Sequence, residues 1–257
     1  MRRNVSAVFL FLFLTISSAA LGQQSCPGFF AGGQAPALAN QRLSPNYHQL
    51  CNSGYAVGYS GLTRTPLWGA ELLTRQDLDE GRGQARHDNF RADTRLPSGE
   101  RSELSDYARS GYDRGHIVNN RDLTPEKRDE SFLLSNIVPQ DPDNNRGIWS
   151  AIESASRYEA KRRGQIYIIT GALFQGNQLQ SLKGRVVVPT GLYKCLYDVA
   201  RREAGCYTAA NAPGPQFGTA SVAQIEQMTG IDLFPAMPAD VKAKGMRLVQ
   251  PKIRGGR

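Results

Sequence analysis

Four cysteines stand in this chain of 257 residues, Cys26, Cys51, Cys195 and Cys206, and an apolar leader precedes all of them. Met1-Arg2-Arg3 is a basic head, residues 5–16 are almost wholly apolar, and Ser17, Ser18, Ala19 and Ala20 follow. That is the layout of a secretory signal peptide, expected over residues 1–22. The apolar run is short for a bilayer span, so the leader reads as a signal and not an anchor, and no membrane attachment is expected once it is removed. An even cysteine count behind a secretion signal implies disulfides formed in an oxidising compartment, periplasmic or secreted. The preferred pairs are Cys26–Cys51 and Cys195–Cys206. The second pair brackets a stretch that reads as a hairpin, and facing hairpin positions meet the distance a disulfide needs. A zinc site is the rival use of these thiols. It is disfavoured because no Cys-x-x-Cys occurs and only three histidines are present.

Thirty-one Lys+Arg stand against 23 Asp+Glu, a formal charge of +8 that falls to +6 when Arg2 and Arg3 leave with the leader. The arginines are spread along the chain. A basic globular surface attracts polyanions and gains affinity through counterion release. Solubility or adhesion to an anionic envelope would need the same charge.

Residues 23–50 lack periodicity and are expected to form an irregular arm, tied down through Cys26. Residues 51–257 are expected to form one mixed α/β domain. Strands are read over 55–60, 66–73, 166–171, 185–189 and 193–199 from alternation and β-branched runs. Residues 74–111 are polar and read as a long surface excursion. Thr124 is expected to cap a short helix over 125–131. A longer helix is expected from about 145 to 162, and a late one from Val222 to near Gly230. His48 and His87 read as surface or loop residues without partners. Tyr193, Tyr197 and Tyr207 could form a base-stacking platform but read as strand packing. Gly171, Gly176 and Gly184 read as turns.

The chemistry concentrates in two segments. The first is Ser110-Gly111-Tyr112-Asp113-Arg114-Gly115-His116. The glycine is expected to let the backbone turn tightly and present the imidazole of His116 beside a ligand. A neutral imidazole can take a proton from water near neutral pH. An Asp–Arg pair at a turn, with a histidine that happens to follow, is the bland alternative. The second segment runs from Leu134-Ser135-Asn136-Ile137-Val138-Pro139-Gln140 to Asn145-Arg146-Gly147-Ile148-Trp149, then Glu153 and Arg157. Steps of four place Asn145, Trp149, Glu153 and Arg157 on nearly one helix face, which would line up an amide, a carboxylate and a guanidinium. Glu153 and Arg157 alone would also suit an ordinary surface pair.

Together the two segments resemble the DNA/RNA non-specific endonuclease family, across about residues 54–238. The resemblance implies an α+β fold, with a ββα-metal (His-Me) finger embedded in a mixed, largely antiparallel sheet flanked by helices. It implies a metal-dependent endonuclease that hydrolyses DNA and RNA without strong sequence preference. His116 would be the general base and Asn145 the direct ligand of a hydrated Mg2+, with Mn2+ or another divalent cation as a substitute. Glu153 would bind waters of that ion, and Arg157 would face the phosphate. Arg114 would be structural or phosphate-binding, and Asp113 would fix the loop. An upstream arginine, Arg86 or Arg91, would contact phosphate; spacing does not decide between them. Magnesium keeps several waters, so one amide oxygen can serve as its protein ligand. Family members commonly carry a small residue five positions after the motif histidine, and this chain has Arg121. That departure bears on substrate range. A homodimer and an inhibitor protein are compatible partners. The alternative is a catalytically weak secreted nucleic-acid-binding protein of the same fold.

Overall fold

The computed structural model describes residues 25–83 and 87–253, so the leader expected over 1–22 and the candidate Arg86 lie outside the described residues. In chain order the strands are β1 (Ala37–Leu38), β2 (Tyr47–Cys51), β3 (Ala56–Ser60), β4 (Thr65–Thr74), β5 (Asp113–His116), β6 (Ile137–Gln140), β7 (Gln165–Leu173), β8 (Ser181–Leu182), β9 (Val186–Val187), β10 (Gly191–Asp198), β11 (Glu203–Ala210), β12 (Gly218–Ala220) and β13 (Ile231–Asp232). The α-helices are α1 (Arg75–Glu80), α2 (Leu104–Tyr107), α3 (Pro142–Asn144), α4 (Ser150–Arg163), α5 (Val222–Thr229) and α6 (Ala239–Ala243).

Seven strands form one sheet in the order β12-β11-β10-β7-β4-β3-β2. Every pair in it is antiparallel. The period of two along each strand divides its side chains between two cores. On β10, Tyr193, Cys195 and Tyr197 pack with Phe30, Val222 and Phe234 on one face. Leu192 and Leu196 pack with Trp149, Ile152 and Ala155 on the other, under α4. The tyrosines on β10 and β11 are therefore strand packing. The disulfide Cys195–Cys206 joins facing positions of the β10–β11 hairpin, and Cys26–Cys51 ties the N-terminal segment to β2.

Several local expectations change. The segment before residue 51 carries two strands. β2 pairs with β3 at the sheet edge, and β1 pairs with β13. Residues 74–111 are no simple surface excursion: Asp93, Leu96, Ser102, Asp106 and Tyr107 are buried. Arg95 makes that possible by binding Asp93 through two nitrogens while donating to the Cys51 carbonyl and to Asn52 Oδ1. Buried polar groups are tolerated when they are paired in this way. Thr124 precedes a 3-10 helix, Pro125–Phe132, and spends its hydroxyl on Glu126 instead of capping. His48 has a partner, Glu100. Gly176 and Gly184 adopt positive φ, as turns require. Gly171 does not. It lies inside β7, where a Cβ would meet both Leu67 O and Tyr193 Oη at 2.3 Å.

Candidate active site

The site is built on a ββα unit. β5 and β6 pair antiparallel with Asp113 facing Gln140 and His116 facing Ile137. Asp141 then starts the helical segment by accepting from the Asn144 amide at 2.9 Å. That segment is α3, a π-helical turn over Asn145–Trp149, and α4.

Gly115 is needed for space, not for turning. It sits in extended β5, and a Cβ there would lie 2.1 Å from Gln140 Oε1. Gln140 is wholly buried and donates to Asn144 Oδ1 at 2.8 Å. Asn144 in turn donates to the carbonyl of Ala210 on β11 at 2.7 Å. The hairpin, the helix start and the main sheet are thus locked through one glutamine. The tight turn expected at this glycine is replaced by close packing.

His116 is 7% exposed. Its ring meets Phe132 edge-on at 5.3 Å and leans on Phe90 at 5.4 Å. The Arg114 guanidinium covers the Phe90 ring at 4.4 Å. Aromatic walls of this kind hold the imidazole in one orientation. Asn145 Nδ2 donates to Asp113 Oδ2 at 2.9 Å, and Arg146 binds the same carboxylate through Nε and Nη2. Partial burial pushes the Asp113 carboxyl up, but the bonds from Arg146 and Asn145 outweigh it and hold the net value below the usual range.

Arg114, His116, Asn145 and Arg146 share one cavity of about 210 Å³ with Asn119, Arg121, Ser150, Glu153 and Arg157. Five of the seven expected site residues therefore converge: His116, Asn145, Glu153, Arg157 and Arg114. Arg91 does not. It is tied to Asp129 at 2.6 Å and to the carbonyls of Asn89 and Asp129, and it is absent from the cavity wall. Trp149 also leaves the expected stripe, being 1% exposed in the core beside Ile148 and Ile152. The π turn is the reason. It holds about five residues, so the residue that returns to the Asn145 side is Ser150, and Glu153 and Arg157 follow from there.

Behind the cavity lies a buried charge cluster. Burial raises the Glu153 carboxyl above its usual range, opposed by Arg157, Lys194 and a hydrogen bond from Asn119. Arg157 Nη1 donates to Asp122 Oδ1 at 2.9 Å and Nη2 to Ser154 Oγ at 3.1 Å. Lys194 Nζ, wholly buried, lies 4.0 Å from Asp122 Oδ2 and 3.7 Å from Glu71 Oε1, and donates to Thr170 Oγ1. Burial, reinforced by Asp122, pushes Glu71 up to about 8 against the pull of Lys194 and Arg157. Residues that sequence reasoning missed are Asn119, Arg146, Ser150, Asp122 and the aromatic pair around His116. None has a signal apart from its fold position.

The donor set is informative about a metal. Among the described residues no group of three or more His, Cys, Asp or Glu could hold an ion. A cation that wants a full protein cage finds none. One that keeps its own waters and takes a single amide oxygen suits Asn145, with Glu153 within the same cavity to receive those waters.

The ββα unit beside a seven-stranded antiparallel sheet gives the class of fold, and comparison with known proteins gives the family. The chain matches the model of the DNA/RNA non-specific endonuclease family over residues 33–240. It belongs to that family and is an enzyme of the nuclease class. It is 32% identical over 211 residues to "Nuclease" of Nostoc sp., covering 75% of each chain. It is 32% identical over 212 residues to "Endonuclease G, mitochondrial" of Bos taurus, covering 76% of this chain and 70% of that one. With "Nuclease 1, mitochondrial" of Schizosaccharomyces pombe it shares 35% over 149 residues, which is 57% of this chain and 44% of the other. Among solved structures, the EndoG/EndoGI complex superposes with a TM-score of 0.63 over 75% of this chain and 90% of that one, at 24% identity, and this likeness speaks for the fold.

Proposed function

We propose that this chain hydrolyses internal phosphodiester bonds of DNA and RNA, with His116 as general base and a hydrated divalent cation, Mg2+ or Mn2+, on Asn145. The observation that carries the reading is the convergence of His116, Asn145, Glu153, Arg157 and Arg114 on one cavity. The imidazole takes a proton from the attacking water, and such general-base help is worth about 10²–10⁴-fold. Asn145 offers its amide oxygen to the ion and Glu153 orients the ion's waters. When bound, the cation supplies charge stabilisation at the phosphate and the leaving oxygen. Arg157 lines the cavity with Nη1 on Asp122 and Nη2 on Ser154, and its remaining N–H groups would meet a phosphate oxygen as a charge-assisted contact. Contacts of this kind go to the backbone and carry no sequence information, so little base preference is expected. The two disulfides suit an oxidising compartment, and with the leader they support a secreted or periplasmic enzyme. An inhibitor protein is a candidate partner, since the structural neighbour is an EndoG/EndoGI complex.

Purified protein incubated with supercoiled DNA and with total RNA, each with Mg2+ and with chelator, tests this reading. Degradation of both substrates only with metal is the expected result. Degradation unaffected by chelator, or none at all, refutes it.

A further inference from the structure

A second, larger groove opens beside the catalytic cavity, between α1, α4 and the segment around Arg121. It measures about 580 Å³ and shares Arg121 and Arg157 with the cavity wall. Among the described residues its other basic side chains are Arg82, Lys161 and Arg128. Arg128 is tied to the carbonyls of Leu123 and Gly81, and Lys161 pairs with Asp79 at 2.8 Å, while Arg82 and Arg121 are exposed. One aromatic ring stands in this basic lining: Tyr158, one residue beyond Arg157 on α4 and 57% exposed.

Resting on the nuclease reading above, we propose that this groove binds the unpaired strand flanking the scissile phosphate, with Arg121 as a phosphate ligand between the two chambers and Tyr158 as a base-stacking platform. The groove is larger than the catalytic cavity, so it has room for more than a phosphate. Its shared arginines put it on the path of a chain whose scissile phosphate lies by His116. Cations along a backbone track, with an aromatic face for a base, are the two parts of single-strand recognition. Bases inside a duplex are already stacked on both faces, so the Tyr158 face serves only unpaired nucleotides.

The test uses the full chain carrying His116→Ala, in chelator, with one labelled oligonucleotide offered as a single strand and as a blunt duplex. Tyr158→Ala in that background weakens single-strand binding at least about fivefold, as loss of one stacked base does. It leaves duplex binding unchanged, and Tyr158→Phe retains both. Arg121→Ala lowers the slope of log affinity against log salt for the single strand by about 0.7, one phosphate contact. Wild-type single-strand affinity for Tyr158→Ala, equal losses on both substrates, an unchanged salt slope, or no binding at all each overturns the proposal. Cleavage of the same oligonucleotides by the unmutated chain with Mg2+ is measured alongside. Its absence would refute the nuclease reading, while the binding data still judge the groove.

Discussion

Asp113 holds Asn145 by the nitrogen end of its amide, with Asn145 Nδ2 donating to Asp113 Oδ2 at 2.9 Å. A carboxylate only accepts, so this contact selects which end of the amide turns away from it. The oxygen is thereby available to the cation proposed on Asn145, and Arg146 holds the carboxylate in place from outside. Asp113 lies three residues before His116, so one short segment carries both the proposed base and the carboxylate that holds the proposed metal ligand.

Asp113→Asn removes that selection, because an amide partner can both donate and accept. Outer partners of metal ligands are typically worth about 10–100-fold in metal affinity. The Mg2+ concentration giving half-maximal cleavage is expected to rise by that order, with the melting temperature little changed. An unmoved Mg2+ midpoint would show that Asp113 does not orient Asn145.

Gly115→Ala places a methyl group 2.1 Å from Gln140 Oε1, within a wholly buried junction. Overpacking of this kind costs about 1–3 kcal/mol. Urea denaturation is expected to show that loss, and pairing the change with Gln140→Ala should recover part of it. If the glycine served backbone freedom instead, the second change would recover nothing.

Glu71 gives stability a pH slope. Between its ordinary 4.5 and about 8 the folded chain keeps a proton that the unfolded chain has released. The folded state then binds more protons, and stability falls as pH rises through that window. Glu71→Gln keeps the shape and removes the titration, so its stability in urea should fall less steeply from pH 5 to pH 8. A steeper fall than in the unmutated chain would contradict the assignment.

Much of the site was legible because its residues come in two local strings. His116 and Arg114 belong to the first, Asn145, Glu153 and Arg157 to the second, and the β5–β6 pairing with the helix that follows brings both to one cavity. The core strands were legible from alternation, as on β7 and β10. What escaped the sequence depends on other physics. Helical spacing assumes one turn length throughout, and the π turn at Asn145–Trp149 changes it, which moved Trp149 into the core. Arg157 looked like a partner for Glu153 one turn away, but its closest acid is Asp122, 35 positions earlier. The family resemblance implied an upstream arginine at the phosphate, Arg86 or Arg91, and only the fold shows Arg91 spent on Asp129. Gly115 and Gly171 read as turns because glycine usually signals freedom, whereas both serve close approach to a neighbouring strand's side chain.

The most direct test is the plasmid cleavage rate as a function of Mg2+ concentration for the unmutated chain, His116→Ala and Asn145→Ala. His116→Ala should lower the plateau by about 10²–10⁴-fold and leave the Mg2+ midpoint in place, whereas Asn145→Ala should shift the midpoint upward. A His116→Ala enzyme that reaches the unmutated plateau would contradict the assignment of the base.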